Sequence, residues 1–254
     1  MSDIEVSTTG GVCELRLNRP KKKNALTLAM YRAVTEALAS ANEDSNVRVV
    51  LVTAAGDAFC AGNDLMDFAT AGDIDVESAP AMQFIRALVN FAKPIVVAVN
   101  GAAAGVGATM LLHADLVYAS EDAALSMPFV NLGLVPEAAS SLLLPARIGL
   151  LAASEMLLLG TAIDAIRAKE LGLVNQVLPA AELPAFARRK AEELAAKPRR
   201  ALCTTRSLVR NNRAVLLAHA QEEASHFSVS LASPEAREAF TAFVERRAPD
   251  FSKL

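Results

Sequence analysis

The fold and the candidate site both depend on the stretch Pro94-Ile95-Val96-Val97-Ala98-Val99-Asn100-Gly101-Ala102-Ala103-Ala104-Gly105-Val106-Gly107. Its apolar first half predicts a buried strand that ends at Asn100-Gly101. Small residues follow, and a helix-like segment occupies 108–113. A strand that passes through a small-residue turn into a helix aims free backbone N–H groups at one point. The stretch therefore predicts a turn that is able to bind a negatively charged atom.

A second stretch repeats this arrangement earlier in the chain. The apolar run Val49-Val50-Leu51-Val52 precedes the turn Gly56-Asp57-Ala58-Phe59-Cys60-Ala61-Gly62-Asn63-Asp64-Leu65. Two such turns, placed side by side, are able to hold an oxyanion between their backbone N–H groups. Close packing of a helix on a strand explains glycines at one turn, but it explains two similar turns less well.

Length and composition place the chain among globular proteins. It has 254 residues, of which 53% are hydrophobic and 21% charged, and this length suits one large domain or a domain with an appended helical piece. The formal net charge of −3 means that the chain as a whole lacks the positive charge that is typical of nucleic-acid-binding proteins. No apolar run reaches the roughly 18–20 residues of a membrane span, and the acidic N-terminus does not resemble a secretory signal. We expect neither a nucleic-acid partner nor a membrane partner.

Cysteine and histidine usage bears on compartment and metal binding. The odd number and wide spacing of Cys13, Cys60 and Cys203 favour a reducing compartment without structural disulfides. The histidines show no ligand spacing, so we expect no catalytic metal, and His113 fits a core position in an apolar helix. We expect a cytoplasmic protein. The alternative is peroxisomal, since Ser252-Lys253-Leu254 has the form of an import signal.

Strands and helices alternate along the first part of the chain, and helices alone follow. Strands that recur through helical crossovers indicate right-handed β/α windings. A boundary at Lys197-Pro198 divides a β/α core, residues 1–197, from a helical region, residues 198–254. The predicted strands are 4–6, 12–17, 47–53, 95–99, 115–119, 124–127 and 173–178. The predicted helices are 28–41, 81–91, 108–113, 140–148, 150–159, 163–171, 181–196, 199–211, 214–231 and 235–246.

Known phosphate and nucleophile motifs do not fit the glycine turn. In a dinucleotide fingerprint, Met110 would occupy the place of the third glycine and crowd the helix against the strand. Neither a Walker A loop nor a GxSxG elbow is present. The basic run Lys21-Lys22-Lys23 is either a solvated charge run or a phosphate patch, and the residues alone leave both interpretations open.

Four stretches together resemble the crotonase superfamily, the enoyl-CoA hydratases and isomerases. They are Asn18-Arg19-Pro20-Lys21-Lys22-Lys23-Asn24-Ala25-Leu26, Ala58-Phe59-Cys60-Ala61-Gly62-Asn63-Asp64-Leu65, Asn100-Gly101-Ala102-Ala103-Ala104-Gly105 and Thr241-Ala242-Phe243-Val244-Glu245-Arg246-Arg247. Their order is that of the family, and they cover nearly the whole chain. The resemblance implies an α/β fold, namely a crotonase-like spiral of ββα units with a C-terminal helical trimerisation region. It also implies an acyl-CoA thioester substrate, a homotrimer or dimer of trimers, and no cofactor apart from the coenzyme A of the substrate.

The resemblance also implies roles for particular residues. The backbone N–H groups of Asn63 and Val106 would bind the thioester oxygen, a task that needs no particular side chain. The family pattern places the adenosine diphosphate end of coenzyme A near a set of residues that includes the lysine loop and the C-terminal helix: Lys22, Lys23, Ala61, Asp64, Leu65, Phe243 and Arg246. The lysine run then becomes a phosphate contact.

The reaction depends on which carboxylates the chain supplies. Family hydratases place two glutamates across the substrate, and Thr109 and Phe129 occupy those positions here. Glu137 stands among apolar residues, which raise the pKa of a carboxyl and make it a better proton carrier. Taken alone, Glu137 also fits an exposed glutamate at a helix start. A glutamate at this place, directly after Pro136, resembles the pattern of the Δ3,Δ2-enoyl-CoA isomerases.

We therefore expect an enoyl-CoA isomerase of fatty-acid β-oxidation with Glu137 as its single proton shuttle. Glu137 would take a proton from C2, the oxyanion hole would hold the dienolate, and Glu137 would return the proton at C4. The alternatives are an enoyl-CoA hydratase with unconventional groups and a non-catalytic acyl-CoA-binding homologue. The loop 70–78 and the helix 81–91 would shape the acyl pocket, but their side chains do not fix its depth.

Overall fold

A computed structural model describes residues 2–64, 66–67 and 78–254 of the chain, with the side chain of Lys253 left aside. Leu65 and residues 70–77 of the predicted pocket loop lie outside this described part. Within it, strands and helices alternate as far as residue 178, and helices follow. This order confirms the α/β class that the sequence predicts.

The larger sheet has six strands in the order β1-β2-β3-β5-β7-β10. Strands β1 and β2 form an antiparallel hairpin, and each later neighbour pairs in parallel. Parallel neighbours require crossover connections, which the intervening helices supply. The bounds are β1 Ile4–Thr9, β2 Val12–Leu17, β3 Val49–Ala54, β5 Ile95–Val99, β7 Leu116–Ser120 and β10 Gln176–Leu178.

A second sheet of four short strands lies in the order β4-β6-β8-β9. Its strands are β4 Ala58–Cys60, β6 Ala102–Ala104, β8 Ala124–Ser126 and β9 Ile163–Asp164. Three predictions were wrong here. Residues 58–60 and 102–104 are strands and not parts of turns, and the helix predicted from residue 163 begins only at residue 165. Pairing across the sheet overrides the weak strand preference of three alanines.

The helices agree with the predicted ones to within a few residues, except around residue 108. There, one α-helical turn begins earlier, at Val106, and continues as a 3₁₀ turn, Met110–His113. The α-helices are α1 Leu28–Glu43, α2 Pro80–Asn90, α3 Val106–Thr109, α4 Ser140–Ile148, α5 Leu150–Leu158, α6 Ala165–Glu170, α7 Leu183–Ala195, α8 Arg199–Val209, α9 Arg213–Leu231 and α10 Pro234–Glu245. Further 3₁₀ turns are Pro20–Lys22, Val130–Leu132 and Phe251–Lys253.

Helix α1 begins where the sequence predicts. The Thr27 side chain accepts a hydrogen bond from the Met30 N–H at 3.2 Å, which satisfies one of the free donors of the first turn. The buried face of the helix includes Tyr31 and Leu38, both essentially inaccessible to water. Fully burying a leucine contributes roughly 1.5–3 kcal/mol. This face fixes α1 against the main core.

The six-stranded sheet is covered on both faces. The main core fills the space between this sheet, the four-stranded sheet and helices α1 and α2. The opposite face packs against α7 through Leu183, Ala187 and Ala191, which repeat every fourth residue and meet Val49 and Leu51 of β3. A parallel sheet with both faces buried explains the continuous apolar runs of its strands.

Helix α8 is fixed to the start of β7 by Asp115. The Asp115 carboxylate accepts hydrogen bonds from Arg206 Nε at 2.7 Å and from Arg210 Nε at 2.8 Å, and also from the Ile95 N–H at 2.8 Å. These contacts tie the helical region to the β/α core. The division of the chain at residues 197 and 198 into two domains stays a prediction.

Cys13, Cys60 and Cys203 are all free thiols, as the sequence predicts. Among the described residues, no helix is long and apolar enough to cross a membrane.

Candidate active site

The first small-residue turn follows β4 and is anchored to the segment before α1. Gly62 has a φ of +97°, a conformation that glycine adopts without strain. The Leu26 N–H donates to the Gly62 carbonyl at 2.8 Å, and the Asp64 N–H donates to the Leu26 carbonyl at 2.9 Å. Asn63 lies between these two bonds, and its own N–H has no acceptor among the described residues. The turn therefore presents one backbone donor.

The second turn follows β6 and leads into α3. The Gly105 N–H donates to the Ser126 carbonyl at 3.0 Å and fixes the turn on β8. Val106 is the first residue of α3, so its N–H has no partner within the helix. In the described part of the chain, no other acceptor receives it. A buried helix start thus offers a second backbone donor.

The two turns lie directly against each other. A Cβ atom added to Gly105 would lie 3.8 Å from the Gly62 Cα, and one added to Gly62 would lie 3.1 Å from the Ala104 carbonyl oxygen. Gly107 approaches even more closely, because its Cβ would lie 2.4 Å from the Cys60 carbonyl oxygen. The small residues therefore permit the side-by-side arrangement that the sequence suggests.

Glu137 lies in the segment that precedes α4, and it is buried. Its side chain is only 7% exposed, so the interpretation as an exposed glutamate at a helix start is wrong. Burial, assisted by the negative charge of Glu223, raises the pKa of Glu137 to about 8. The Glu137 Oε1 atom has no hydrogen-bond partner in the described part of the chain. A carboxyl with a pKa near neutrality is suited to both taking and returning a proton.

Tyr31 connects Glu137 with the first turn. Burial raises the pKa of Tyr31 and of Cys60, and the Glu137 charge adds to both shifts, which places all three groups in one buried region. The Tyr31 hydroxyl donates a hydrogen bond to Asn63 Oδ1. The sequence predicts the helix that carries Tyr31, residues 28–41, but not this contact. An apolar stripe predicts burial but does not say which group the hydroxyl meets.

Two left-handed residues follow Glu137 and form a sharp corner. Ala138 has a φ of +61° and Ala139 a φ of +55°, and both are buried. Left-handed backbone costs roughly 1–2 kcal/mol for a residue with a Cβ. His113 Nε2 donates to the Ala138 carbonyl at 2.8 Å. Burial lowers the pKa of His113 to about 4, so the ring is neutral and occupies the core position that the sequence predicts.

Glu223 of α9 holds the other side of this corner. Its Oε2 accepts a hydrogen bond from the Ala139 N–H at 2.6 Å, and its Oε1 accepts from the Ser141 N–H at 2.9 Å and the Ser141 Oγ at 2.6 Å. His219 Nε2 lies 2.8 Å from the same Oγ. Burial raises the pKa of Glu223, although these hydrogen bonds oppose the shift. Nothing in the sequence near Glu223 marks this role.

The lysine loop lies beside the first turn. Lys22 and Lys23 are exposed, and the Lys23 carbonyl accepts a hydrogen bond from the Ala61 N–H at 2.9 Å. Asp64 is engaged in the protein, since its carboxylate pairs with the Arg19 guanidinium at 2.7 Å. Burial acts to raise the pKa of Asp64, but the hydrogen bond from Arg19 and nearby N–H groups outweigh burial and lower it.

The remaining predicted contacts are not brought to this loop by the packing of the chain. Phe243 and Arg246 are exposed at the end of α10, which packs on α9 and on the 3₁₀ turn Val130–Leu132. Leu65 lies outside the described residues. Of the seven predicted coenzyme A contacts, the structure therefore gathers Lys22, Lys23, Ala61 and Asp64.

The two positions at which the resemblance implies acids in hydratases are buried and uncharged here. Thr109 is inaccessible, and its Oγ1 has no hydrogen-bond partner among the described atoms. Phe129 is 4% exposed and lies near Gly105, whose added Cβ would be 4.0 Å from the ring. In the described ranges, no cluster of three or more His, Cys, Asp or Glu side chains is able to hold a metal ion.

Comparison with known proteins shows the family and the fold of the chain. The enoyl-CoA hydratase/isomerase family profile matches residues 7–253. The chain is 36% identical to enoyl-CoA delta isomerase 2 of Rattus norvegicus over 96% of its length, and 32% identical to the 2,3-dehydroadipyl-CoA hydratase of Escherichia coli K12 over 99% of both chains. A crystal structure of an enoyl-CoA hydratase/isomerase from Pseudoalteromonas atlantica T6c superposes with a TM-score of 0.94 and 42% identity, covering 98% of this chain and all of that one.

These similarities fix the family but include both isomerases and hydratases. The chain spans 64% of the length of the rat isomerase. The fold, however, is shared along nearly the whole chain with solved structures at 42% identity, and it is the crotonase-like α/β fold that the four motifs imply. The chain therefore belongs to the enoyl-CoA hydratase/isomerase family.

Proposed function

We propose that the chain is an enoyl-CoA isomerase that moves a double bond from the 3-position to the 2-position of an acyl-CoA thioester. The single observation that supports this best is Glu137, a buried carboxyl whose pKa is raised to about 8 and whose Oε1 has no protein partner in the described chain. A double-bond shift needs one base that acts at two carbons, C2 and C4, on either side of C3. It needs no added water and no redox cofactor.

In the proposed reaction, the Glu137 carboxylate takes a proton from C2 of the 3-enoyl thioester. The C–H electron pair is delocalised over the acyl group of the substrate, which becomes a dienolate. Its negative charge collects on the thioester oxygen. The Asn63 and Val106 N–H groups, free in the described chain, would donate to that oxygen. Each preorganised donor of this kind contributes about 10²–10³-fold to a rate. Glu137 then returns the proton to C4, and the double bond lies between C2 and C3.

The arrangement favours isomerisation over hydration. Hydration adds water at one carbon and a proton at its neighbour, which two positioned acid–base groups accomplish most readily. Thr109 and Phe129 supply none. Glu223 is the carboxylate whose charge reaches Glu137, but the Ala139 and Ser141 groups occupy both of its oxygens. It is therefore not available to activate water.

The same proposal includes the coenzyme A end of the substrate and the assembly. Lys22 and Lys23, both exposed beside Ala61, would contact its phosphate groups. Phe243 and Arg246 would act from a neighbouring subunit of a homotrimer or a dimer of trimers, since both are exposed on their own chain. No metal or cofactor takes part in the proposed reaction.

The Glu137→Gln variant tests the function. Glutamine keeps the shape of the side chain but cannot carry the proton, so we expect the isomerisation rate of a 3-enoyl-CoA to fall by about 10²–10⁴-fold. The kcat/KM of the wild type should rise with pH through about 8, because only the carboxylate form of Glu137 is a base. Conversion is followed with esters of graded chain length, and hydration of 2-enoyl-CoA is measured in parallel.

Glu121→Gln is the matched control, because Glu121 is an exposed glutamate whose side chain has no place in the proposed site. It should behave as the wild type. A Glu137→Gln enzyme that isomerises at the wild-type rate would refute the single-base mechanism. A wild type that hydrates 2-enoyl-CoA faster than it isomerises 3-enoyl-CoA would favour the hydratase. Binding of acyl-CoA without turnover of either substrate would favour the non-catalytic alternative.

A further inference from the structure

We propose that Glu223 of α9 is a positioning residue that holds the backbone corner at Ala138 and Ala139 and thereby aims the Glu137 carboxyl at the two glycine turns. This inference rests on the proposed role of Glu137. It assigns a function to a buried carboxylate that lies 86 positions further along the chain and that the family motifs do not include.

The hydrogen bonds that the Glu223 carboxylate accepts come from residues 139 and 141, at this corner. Its two oxygens receive the Ala139 N–H, the Ser141 N–H and the Ser141 hydroxyl at 2.6–2.9 Å. Its side chain is 7% exposed. A carboxylate is costly to bury unless donors satisfy it, and here main-chain donors supply most of that compensation. The geometry therefore resembles a clamp on the backbone more than a surface ion pair.

The corner requires such a clamp because its backbone is unfavourable. Two consecutive alanines in the left-handed region persist only where the surroundings over-determine them. His113 fixes the Ala138 carbonyl from the side of the 3₁₀ turn, and Glu223 fixes the following N–H groups from α9. The Glu137 carbonyl also accepts the Ser140 N–H at 3.0 Å. The direction of the Glu137 side chain is thus set by contacts on both sides of the corner.

Glu223 also acts on Glu137 through charge. The titratable groups that face Glu137 are Tyr31 from α1, Cys60 from β4 and Glu223 from α9. Tyr31 and Cys60 have raised pKa values and stay neutral near pH 8, so Glu223 supplies the negative charge in this group. Around the corner itself, His113 is neutral, and His219 lies against Ser141 and near Glu223. The charges of Arg210 and Arg147 act on His113, and they add to the lowering of its pKa.

The first experiment measures the clamp without reference to catalysis. Hydrogen exchange of the peptide that covers residues 137–144 is followed by mass spectrometry in the wild type and in Glu223→Gln. Glutamine offers one acceptor oxygen and turns an NH₂ group toward a main-chain donor, so we expect exchange at residues 139–141 to become at least tenfold faster. Glu222→Gln is the control, because that neighbouring side chain is 67% exposed and should leave the exchange unchanged.

The second experiment measures the consequence for turnover of 3-enoyl-CoA esters. Glu223→Gln should lower kcat at least tenfold and leave KM within about twofold, because the clamp does not touch the coenzyme A contacts. Loss of the neighbouring negative charge should also move the midpoint of the kcat/KM profile to lower pH. Ser141→Ala, which removes one donor but keeps the Glu223 charge, should lower kcat about threefold without moving the midpoint.

The outcomes separate this inference from the proposed function. A wild type that does not isomerise enoyl-CoA refutes the proposed function. The exchange measurement then tests by itself whether Glu223 holds the backbone corner. Unchanged exchange at residues 139–141 in Glu223→Gln overturns the clamp even if the wild type is active. A lower kcat with an unmoved midpoint and unchanged exchange would assign Glu223 a general structural role and overturn the proposal as well. If Glu223→Gln does not fold, the exchange and kcat of Ser141→Ala decide.

Discussion

The two halves of the candidate site are built in opposite ways. The glycine turns use main-chain donors, and their geometry follows from short segments in which small residues let two backbones approach within van der Waals contact. The Glu137 corner uses a side chain, and its geometry depends on His113 and Glu223, which come from distant elements. The first half tolerates changes of side chain but not added bulk. The second half depends on contacts with distant elements and on the charge of its carboxyl groups.

The two halves also differ in how much unfavourable backbone conformation and charge burial they contain. The turns need no strained residue with a Cβ, because glycine takes the left-handed positions at 62 and 105. The corner keeps two alanines in that conformation and a carboxyl in a buried place where its pKa rises to about 8. A folded protein retains such features when function requires them. The proposed proton carrier is therefore also a local source of instability.

The largest expected effect is a loss of stability from a substitution in the glycine-turn half of the site. In Gly107→Ala, the new Cβ would lie 2.4 Å from the Cys60 carbonyl oxygen, a backbone atom that cannot move aside without displacing β4. We expect a loss of about 3 kcal/mol or more in the free energy of unfolding, at the upper end of overpacking effects. Urea denaturation measures the loss.

Gly149→Ala is the control for Gly107→Ala. Gly149 has a φ of +81° and open space around an added Cβ, so this variant meets only the conformational cost of roughly 1–2 kcal/mol. Equal losses in the two variants would contradict the close approach of α3 to β4.

The second effect concerns the corner and has the opposite sign. Because folding raises the pKa of Glu137 from 4.5 to about 8, the unfolded chain releases this proton first as the pH rises. The stability of the wild type therefore falls between about pH 4.5 and 8, at about 1.4 kcal/mol per pH unit at most. Glu137→Gln does not titrate, so we expect it to match the wild type near pH 4.5 and to be more stable by a few kcal/mol at pH 8.

Urea denaturation at pH 5, 6.5 and 8 measures how the stabilities of Glu137→Gln and the wild type separate as the pH rises. Glu121→Gln is again the control and should show the same pH dependence as the wild type. If Glu137→Gln is less stable than the wild type at pH 8, the Glu137 carboxylate has a stabilising partner, and the corner is not a store of electrostatic cost.

The smallest effect tests the contact that joins the two halves. Tyr31→Phe removes the hydroxyl that donates to Asn63 Oδ1, at a cost of about 1 kcal/mol in stability. The Asn63 backbone N–H stays in place, so we expect the isomerisation rate to fall less than tenfold. Thermal denaturation and steady-state rates measure both. A loss of activity as large as that of Glu137→Gln would mean that Tyr31 takes part in proton transfer and that the two halves are not separable.

The sequence predicts the glycine-turn half far better than the corner. The turn between 100 and 107 follows an apolar run directly, so local pattern alone indicates a strand, a turn and a helix start. The strand at Ala102–Ala104 escaped prediction because alanine has little strand preference and its partners, β4 and β8, are remote. Pairing between distant segments is not a property of either segment.

The surroundings of Glu137 show the same limit of prediction from sequence. Its apolar neighbours correctly suggest a raised pKa, and the structure adds Glu223 as a second cause. Neither the left-handed corner nor its partners could be predicted, because alanine at two successive positions normally indicates helix. Tertiary contacts from α9 override that preference. Residues that act through the backbone of another segment leave no local signature.

The hydrogen bond between Glu223 and Ala139 joins residues 84 positions apart, and this separation has a consequence for the order of synthesis. At ribosomal rates of about 5–20 residues per second, the clamp emerges roughly ten seconds after the corner it supports. Both glycine turns and the strand that fixes the second one are already complete in sequence once residue 126 has been made. A nascent chain is thus able to form its proposed oxyanion-binding turns well before its proposed base is locked in direction.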